Sequence, residues 1–88
     1  MILSIIVPTY NEEKTIIKIL EKIKNNSSDF FKYEVIVIDD ASTDQSRKLL
    51  EDNKHLYDKL LVNDTNKGKG FSVKRGISSA SGTHIIFQ

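Results

Sequence analysis

Four short, continuous runs rich in Val, Ile and Leu constrain the fold of this chain more than any other feature of its sequence. They occupy residues 2–7, 34–38, 59–62 and 83–87, and each is bounded by polar or turn-forming residues. A strand that is apolar on both faces is buried on both faces, as in a parallel sheet covered by helices, whereas half-exposed antiparallel strands alternate. The runs therefore predict four parallel strands.

Amphipathic helical patterns separate the predicted strands. The first lies between the polar residues 11–13 and a loop at 25–28, and its apolar positions recur at spacings of three and four. These apolar residues are Ile16, Ile17, Ile19, Leu20 and Ile23. The second pattern opens at 42–45 with Ser-Thr-Asp-Gln, which fits the S-x-x-Q capping box of a helix amino terminus. Its predicted inner face carries Leu49, Leu50 and Leu56.

The third helical pattern starts near Gly70 and stops at Gly82, since glycine is common just beyond a helix end. Its predicted buried residues are Phe71, Val73, Ile77 and Ala80. With right-handed crossovers, this alternation predicts an α/β fold: an open, Rossmann-like parallel sheet of about four strands with alternating helices. Ligands bind such sheets at the carboxyl ends of the strands, so candidate site residues are expected there.

Size, charge and cysteine content exclude several classes of protein. A chain of 88 residues holds one domain, here 1–88, and 39% hydrophobic with 28% charged residues is typical of a globular protein. The net charge of +1 gives no electrostatic basis for nucleic-acid binding. The absence of cysteine excludes disulfides, cysteine-ligated zinc and a thiol nucleophile.

The first predicted strand runs into Pro8-Thr9-Tyr10-Asn11-Glu12. Pro8 cannot continue a strand ladder, Tyr10 offers an aromatic face to a nucleobase, and Glu12 can accept hydrogen bonds from a base or ribose. A structural role is also open, in which Asn11 caps the first helix and Glu12 stabilises its positive end. The segment is a candidate nucleotide-binding loop.

Two adjacent carboxylates, Asp39 and Asp40, follow the second apolar strand. Buried carboxylates are costly unless donors or cations meet them, which suggests a ligand N–H group or a ribose hydroxyl. Neighbouring strand residues point in opposite directions, so at most one acid, with Val37 or Ile38 on its own side, faces a ligand. The other acid braces the loop or helix beside it, and a purely structural role for the pair stays open.

The segment 66–70, Asn-Lys-Gly-Lys-Gly, precedes the third predicted helix. Flexible glycines and lysines ahead of a helix amino terminus suit a diphosphate, for which Lys69 is the candidate contact. A surface turn with solvated lysines explains the same segment equally well.

Three segments of the sequence, 5–12, 35–44 and 66–82, together resemble one known family. They read Ile-Ile-Val-Pro-Thr-Tyr-Asn-Glu, then Val-Ile-Val-Ile-Asp-Asp-Ala-Ser-Thr-Asp, then Asn-Lys-Gly-Lys-Gly followed by Lys-Arg-Gly and Ala-Ser-Gly. Their order, spacing and strand positions resemble those of family 2 glycosyltransferases, which have the GT-A fold, over practically the whole chain. Within that family, the chain is most similar to polyprenyl-phosphate and dolichyl-phosphate sugar transferases.

The resemblance implies an activity and a binding site. The implied activity is inverting transfer of a sugar from a UDP- or GDP-sugar to an acceptor, such as a polyprenyl phosphate or a saccharide, in cell-envelope or polysaccharide biosynthesis. The residues that would surround the nucleoside are Pro8, Tyr10, Glu12, Ile38 and Asp40. Asp40 would contact the base, and Asp39 would support Asp40.

The resemblance also implies Mg²⁺ or Mn²⁺ on the diphosphate, held by an Asp-x-Asp motif at the end of a fourth strand. Here the sequence ends at Phe87-Gln88, where those acids would come next. We therefore expect neither a metal ligand nor a catalytic residue among the 88 residues. The chain would be the nucleotide-binding fragment of a larger enzyme and inactive by itself.

Two of three alternative functions require sequence motifs that are missing from this chain. A Rossmann dinucleotide domain needs G-x-G-x-x-G straight after a strand, but Gly68-Lys69-Gly70 does not follow the first strand and has Val73 where the third glycine belongs. A sugar nucleotidyltransferase needs a glycine-rich first loop, which is missing here. A non-catalytic nucleotide-binding or interaction module complete at 88 residues stays open. An Asp-x-Asp motif directly after Gln88 would favour the transferase.

The resemblance implies the strand order third, second, first, fourth, which puts the 83–87 strand at the edge of this sheet. Its sequence, Thr-His-Ile-Ile-Phe, carries neither a proline nor a fixed charge, and such an edge pairs readily with another chain. We therefore expect a homodimer, or aggregation, around Ile85, Ile86 and Phe87. The full-length protein is expected in the cytoplasm, peripherally at the inner face of the membrane.

Overall fold

The computed structural model describes residues 2–26, 32–82 and 84–87. In these ranges one sheet is formed by β1 (Ile2–Thr9), β2 (Lys32–Asp39), β3 (Lys59–Val62) and β4 (His84–Phe87). The strand order is β3-β2-β1-β4, and every neighbouring pair is parallel. The predicted open parallel sheet is confirmed, as is the strand order that the family resemblance implied. Thr83, which the sequence assigned to the fourth strand, lies outside the described residues.

Helices cover both faces of this sheet. α1 (Ile16–Asn25), α2 (Ser46–Asp52) and a 3-10 helix at Lys54–Leu56 lie on one face, and α3 (Lys69–Ser79) lies on the other. None of the helices in the described ranges is long and apolar enough to span a bilayer. The order of the sheet reverses at β1, because β2 and β3 add on one side of it and β4 on the other.

Both faces of β1 and β2 are buried, which explains why these strands are continuously apolar. Toward α1 and α2 they present Ile5, Val7, Val35 and Val37, and toward α3 they present Ile6, Ile36 and Ile38. Successive residues of a strand point to opposite faces, so the two cores are built from the same uninterrupted runs of sequence.

The capping box predicted at 42–45 is wrong. α2 begins at Ser46, after Gln45, whose side chain forms no cap, and the Ser46 N–H donates to Asp44 Oδ1 at 2.8 Å. The Ser42 hydroxyl instead donates to Asp39 Oδ1 at 2.5 Å, because the neighbouring carboxylate offers a charge-assisted hydrogen bond. Leu56, predicted for the inner face of this helix, is buried in the 3-10 helix that follows.

The predicted inner face of α3 is wrong at two positions. Phe71 and Ile77 are 48% and 39% exposed, and the buried residues of the helix are Ser72 and Gly76. Small residues face the sheet because α3 approaches it closely: a Cβ atom on Gly76 would lie 2.7 Å from Ile38 Cδ1. Helix-to-sheet distance, which apolar spacing does not report, therefore determined the buried face.

We expect Gly76→Ala to lower the free energy of unfolding by about 1 to 2 kcal/mol. Overpacking against Ile6 and Ile38 should outweigh the ~1 kcal/mol by which alanine favours a helix. Urea unfolding measures the difference. Ser78→Ala changes an exposed position of the same helix and should stay within about 0.5 kcal/mol of wild type. A Gly76→Ala protein as stable as this control would contradict the close packing.

Glu34 of β2 joins the sheet to the segment that follows α3. Its Oε1 accepts hydrogen bonds from Ser4 Oγ at 2.8 Å and Ser81 N at 2.9 Å, and its Oε2 accepts one from Ser81 Oγ at 2.6 Å. Lys59 Nζ lies 3.5 Å from Oε2. Burial disfavours the charge, but the bonds from Ser81 and Ser4 and the Lys59 ammonium outweigh it and lower the pKa of Glu34 to about 2.

This low pKa predicts acid-dependent stability. Because the folded pKa of about 2 lies below the usual 4.5, ionised Glu34 stabilises the fold above about pH 5, and this contribution is lost as the pH falls toward 2. Glu34→Gln should therefore be less stable than wild type at neutral pH, and the difference should shrink below about pH 4. Urea unfolding across this range checks the expectation.

The control for this experiment is Glu51→Gln, at an exposed position of α2. Its stability difference from wild type should be small and should change little with pH, since surface ion pairs contribute little. A pH-independent difference for Glu34→Gln would show that the Glu34 carboxylate is not preferentially ionised in the folded state.

β4 forms an edge of the described sheet, and Ile85 is 38% exposed. The association expected through this strand stays a prediction. Light scattering should show the 88-residue chain as a dimer or larger species, and Ile85→Lys should shift it toward monomer, because an edge charge opposes pairing. Ile77→Lys places the same charge on α3, away from the edge, and should not. A monomeric wild-type chain would contradict the prediction.

Candidate functional site

A cleft of about 290 Å³ opens at the carboxyl end of β1, between the first turns of α1 and α3. Its apolar wall consists of Val7, Pro8, Ile16 and Ile19. The side chains with polar groups that line it are Thr9, Tyr10, Glu12, Asp40, Lys69 and Ser72. In open parallel sheets, ligands bind in the crevice where the strand order reverses, and β1 marks that point here.

Most of the residues that the sequence predicted for nucleotide binding meet in this cleft. They are Pro8, Tyr10, Glu12, Asp40 and Lys69. Ile38 and Asp39 are fully buried away from it, Ile38 in the core beneath Gly76 and Asp39 against Ser42. The structure thus shows Ile38 in a core position, while the Tyr10 side chain is 46% exposed and open to a ligand.

Asp40 follows β2 and is only 4% exposed, yet it lines the cleft. Its Oδ1 accepts hydrogen bonds from Asn63 Nδ2 at 2.9 Å and Lys67 N at 2.7 Å, and its Oδ2 accepts one from Gly68 N at 2.9 Å. Burial opposes the charge, but these bonds and the Lys67 ammonium outweigh it and hold the pKa of Asp40 below its usual value. An ionised carboxylate therefore borders the cleft at neutral pH.

Asp39 braces the loop that follows β2. Its Oδ1 and Oδ2 accept hydrogen bonds from the hydroxyl and the backbone N–H of Ser42, and Ala41 turns the chain between them at φ 58. This contact agrees with the supporting role that the sequence analysis gave to Asp39. Asp40 departs from a simple division of roles, because it lines the cleft and also holds the loop between β3 and α3.

The loop that carries Tyr10 is held by the loop between β2 and α2. Asn11, at φ 50, accepts hydrogen bonds at Oδ1 from the backbone N–H groups of Thr43 at 2.8 Å and Asp44 at 3.3 Å. Its own N–H donates to Ser42 Oγ at 3.0 Å. Asn11 therefore joins two loops and does not cap α1, whose first turn has no side-chain cap.

Lys69 is the first residue of α3 and lines the side of the cleft opposite α1. It follows Gly68, whose φ of 92 lies in the left-handed region that favours glycine. An ammonium beside the positive end of a helix makes this side of the cleft suitable for an anion. The aromatic and apolar groups lie on the other side.

Asn63 is a residue of this region that the sequence analysis missed. It follows β3, is 4% exposed and donates hydrogen bonds to Asp40 and Ser72, both of which line the cleft. The signal that identified Asp39 and Asp40, a polar residue directly after an apolar strand, would have identified Asn63 as well.

In residues 2–26, 32–82 and 84–87, no three Asp, Glu, His or Cys side chains converge into a potential metal site. The cleft residues therefore do not form a metal site by themselves, and metal ligation by an Asp-x-Asp motif stays a prediction.

The fold is an open parallel α/β domain with a crevice where the strand order reverses, and comparison with known proteins gives its family. The sequence profile of Glycosyl transferase family 2 matches residues 4–88. The chain belongs to glycosyl transferase family 2, as the three segments indicated. It is 40% identical over 95 residues to the dolichyl-phosphate beta-glucosyltransferase of Mus musculus; the match covers 96% of this chain and 29% of that enzyme.

Solved structures of similar chains agree with this assignment. S. aureus TarS 1-349 in complex with UDP-GlcNAc superposes with a TM-score of 0.85 at 32% identity, over 99% of this chain and 26% of that one. The mannosyltransferase PcManGT from Pyrobaculum calidifontis, in complex with GDP-Man and Mn²⁺, superposes with a TM-score of 0.78 at 31% identity, over 94% and 25%. The chain thus spans less than a third of the length of these relatives.

Proposed function

We propose that the cleft binds the nucleoside of a UDP- or GDP-sugar and that the full-length protein is an inverting glycosyltransferase. The observation that carries this proposal is a crevice at the reversal point of a parallel sheet that joins an exposed aromatic ring to a buried, ionised carboxylate. The TarS and PcManGT structures, which contain UDP-GlcNAc and GDP-Man, support a nucleotide sugar as the ligand class.

Each cleft residue has a role that its chemistry supports. The ring of Tyr10 presents an aromatic face to the base beside the apolar wall at Pro8. Glu12 accepts hydrogen bonds from the ribose or base, and Asp40 accepts one from a base N–H group. Asp39 supports the site through the loop at Ser42. Ile38 is proposed to support the floor of the site from the core, where its side chain is fully buried.

The diphosphate is proposed to lie on the α3 side of the cleft, where Lys69 and the helix amino terminus favour an anion. A bound Mg²⁺ or Mn²⁺ would neutralise the charge of the leaving diphosphate. The Mn²⁺ in the PcManGT structure supports a divalent metal in related enzymes. Residues of this cleft supply the nucleoside contacts and the positive charge near the phosphates.

The acceptor is proposed to be a polyprenyl phosphate, in line with the name of the dolichyl-phosphate relative. Its phosphate oxygen would attack the anomeric carbon while the bond from that carbon to the diphosphate oxygen breaks, so that the nucleoside diphosphate leaves. An anionic acceptor is already a nucleophile and depends less on a general base than a sugar hydroxyl does. Such an acceptor is consistent with a peripheral position at the cytoplasmic face of the membrane.

We expect the 88-residue chain to bind UDP or GDP with an affinity that depends little on Mn²⁺, because the proposed nucleoside contacts lie in the cleft and the described residues bring no three potential metal ligands together. In the full-length protein, Asp40→Asn should weaken binding by about 1.5 to 3 kcal/mol, the value of a hydrogen bond to a charged group. Isothermal titration calorimetry measures both.

Asp52→Asn removes an exposed carboxylate of α2 and is the matched control, with unchanged affinity expected. Thermal melts of both variants show how much of the Asp40 effect comes from the loss of its donors from the β3–α3 loop. If neither nucleotide binds wild type at millimolar concentration, the cleft is not a nucleoside site.

A further inference from the structure

Asn63 is the centre of a buried hydrogen-bond network beside the cleft. Its backbone N–H donates to Asp39 O at 2.9 Å and continues the pairing of β2 and β3. Its Nδ2 donates to Asp40 Oδ1 at 2.9 Å and to Ser72 Oγ at 3.0 Å, and its Oδ1 accepts from Arg75 Nη1 at 2.8 Å. Every polar atom of this amide side chain is therefore engaged inside the protein.

Arg75 determines which way the Asn63 amide points. A guanidinium only donates, so the atom beside it must be the amide oxygen, and the NH₂ group must face Asp40 and Ser72. Arg75 Nη1 also donates to Val62 O at 2.9 Å, which anchors the guanidinium at the end of β3. A turned amide would leave buried donors and acceptors without partners, so this orientation is strongly favoured.

In this orientation the two oxygens of Asp40 accept different numbers of hydrogen bonds. The Asn63 amide and the Lys67 N–H both bind Oδ1, whereas Oδ2 accepts, among the described residues, the Gly68 N–H. A carboxylate oxygen has two lone pairs, so Oδ2 retains capacity for another donor. Asn63 does not line the cleft itself, and its influence on a ligand passes through Asp40 and Ser72.

We propose that Asn63 is a positioning residue for nucleotide recognition. It holds Asp40 Oδ1, which leaves Oδ2 for an N–H group of the base, and it ties the first turn of α3 at Ser72 to the same carboxylate. This proposal rests on the proposed function, because the ligand that Asp40 meets is the base of a nucleotide sugar.

Asn63→Asp is the informative substitution. It keeps the size of the side chain and an acceptor for Arg75, but it replaces the donor to Asp40 with a carboxylate at hydrogen-bond distance. Two like charges in such proximity raise the pKa of the pair. The charged or titratable groups around this pair are Arg75, which contacts residue 63, and Lys67, Lys69, Glu12, Tyr10 and Asp39, and this substitution leaves them unchanged.

We expect Asn63→Asp in the full-length protein to raise the Kd for UDP or GDP at least about tenfold at about pH 8. A change of this size corresponds to the loss of one hydrogen bond to a charged group. The loss should shrink toward about pH 5.5, because a proton shared by the two carboxylates restores a donor. Asn25→Asp, at the exposed end of α1, makes the same charge change and should bind like wild type at both pH values. Affinity reduced equally at every pH would overturn the proposal, since it would indicate a purely structural role.

A ligand-free measurement separates this proposal from the proposed function. NMR titration of the Asp40 carboxyl carbon should give a higher pKa in Asn63→Asp than in wild type and Asn25→Asp. An Asp40 pKa that is unchanged in Asn63→Asp would overturn the positioning role. If the wild-type protein binds no nucleotide but the Asp40 pKa still rises in Asn63→Asp, only the proposed function and the base contact would be overturned.

Arg75→Met provides a second variant if Asn63→Asp does not fold. It frees the amide to turn, and it should raise the Asp40 pKa and weaken nucleotide binding while Asn63 is still present. An Arg75→Met protein with wild-type affinity and a wild-type Asp40 pKa would overturn the proposal.

Discussion

The buried carboxylate of Asp40 is the interaction on which the rest of the site depends. It stands at the end of β2, and its donors, Asn63, Lys67 and Gly68, all belong to the connection between β3 and α3. A charge at this depth is stable only because these donors replace the hydration that burial removed. The end of the sheet, the connection and the first turn of α3 are therefore held together as one unit.

The wall of the cleft that carries Tyr10 is held by hydrogen bonds that do not converge on one buried carboxylate. Asn11 binds the backbone of the β2–α2 loop, and Glu12 N donates to Ser46 Oγ at 2.8 Å, so the two residues after Tyr10 are both fixed. Both walls thus depend on hydrogen bonds between loops that are distant in sequence. A site that is already ordered before binding loses less conformational entropy when the ligand arrives, which favours affinity.

The sheet could be predicted from the sequence because strands buried on both sides are continuously apolar, as at 5–7 and 35–38. The buried face of α3 has no comparable sequence pattern. Whether Phe71 or Gly76 meets the sheet depends on how closely the helix approaches strands that come from elsewhere in the chain. Likewise, strand ends indicated that Asp40 belongs to a site, but its donors are set by tertiary pairing, which spacing along the sequence does not encode.

The pairing partners of β1 affect how fast the sheet forms. Leu3 pairs with Tyr33 on one side and with His84 on the other, so the two neighbours of this strand lie far apart in sequence. Such non-local pairing is slow, because chain entropy is lost before the contacts form. During synthesis β1 keeps an open edge, prone to aggregation, until β4 has been made. The cleft is lined by residues between Val7 and Ser72, so it can form before β4 joins the sheet.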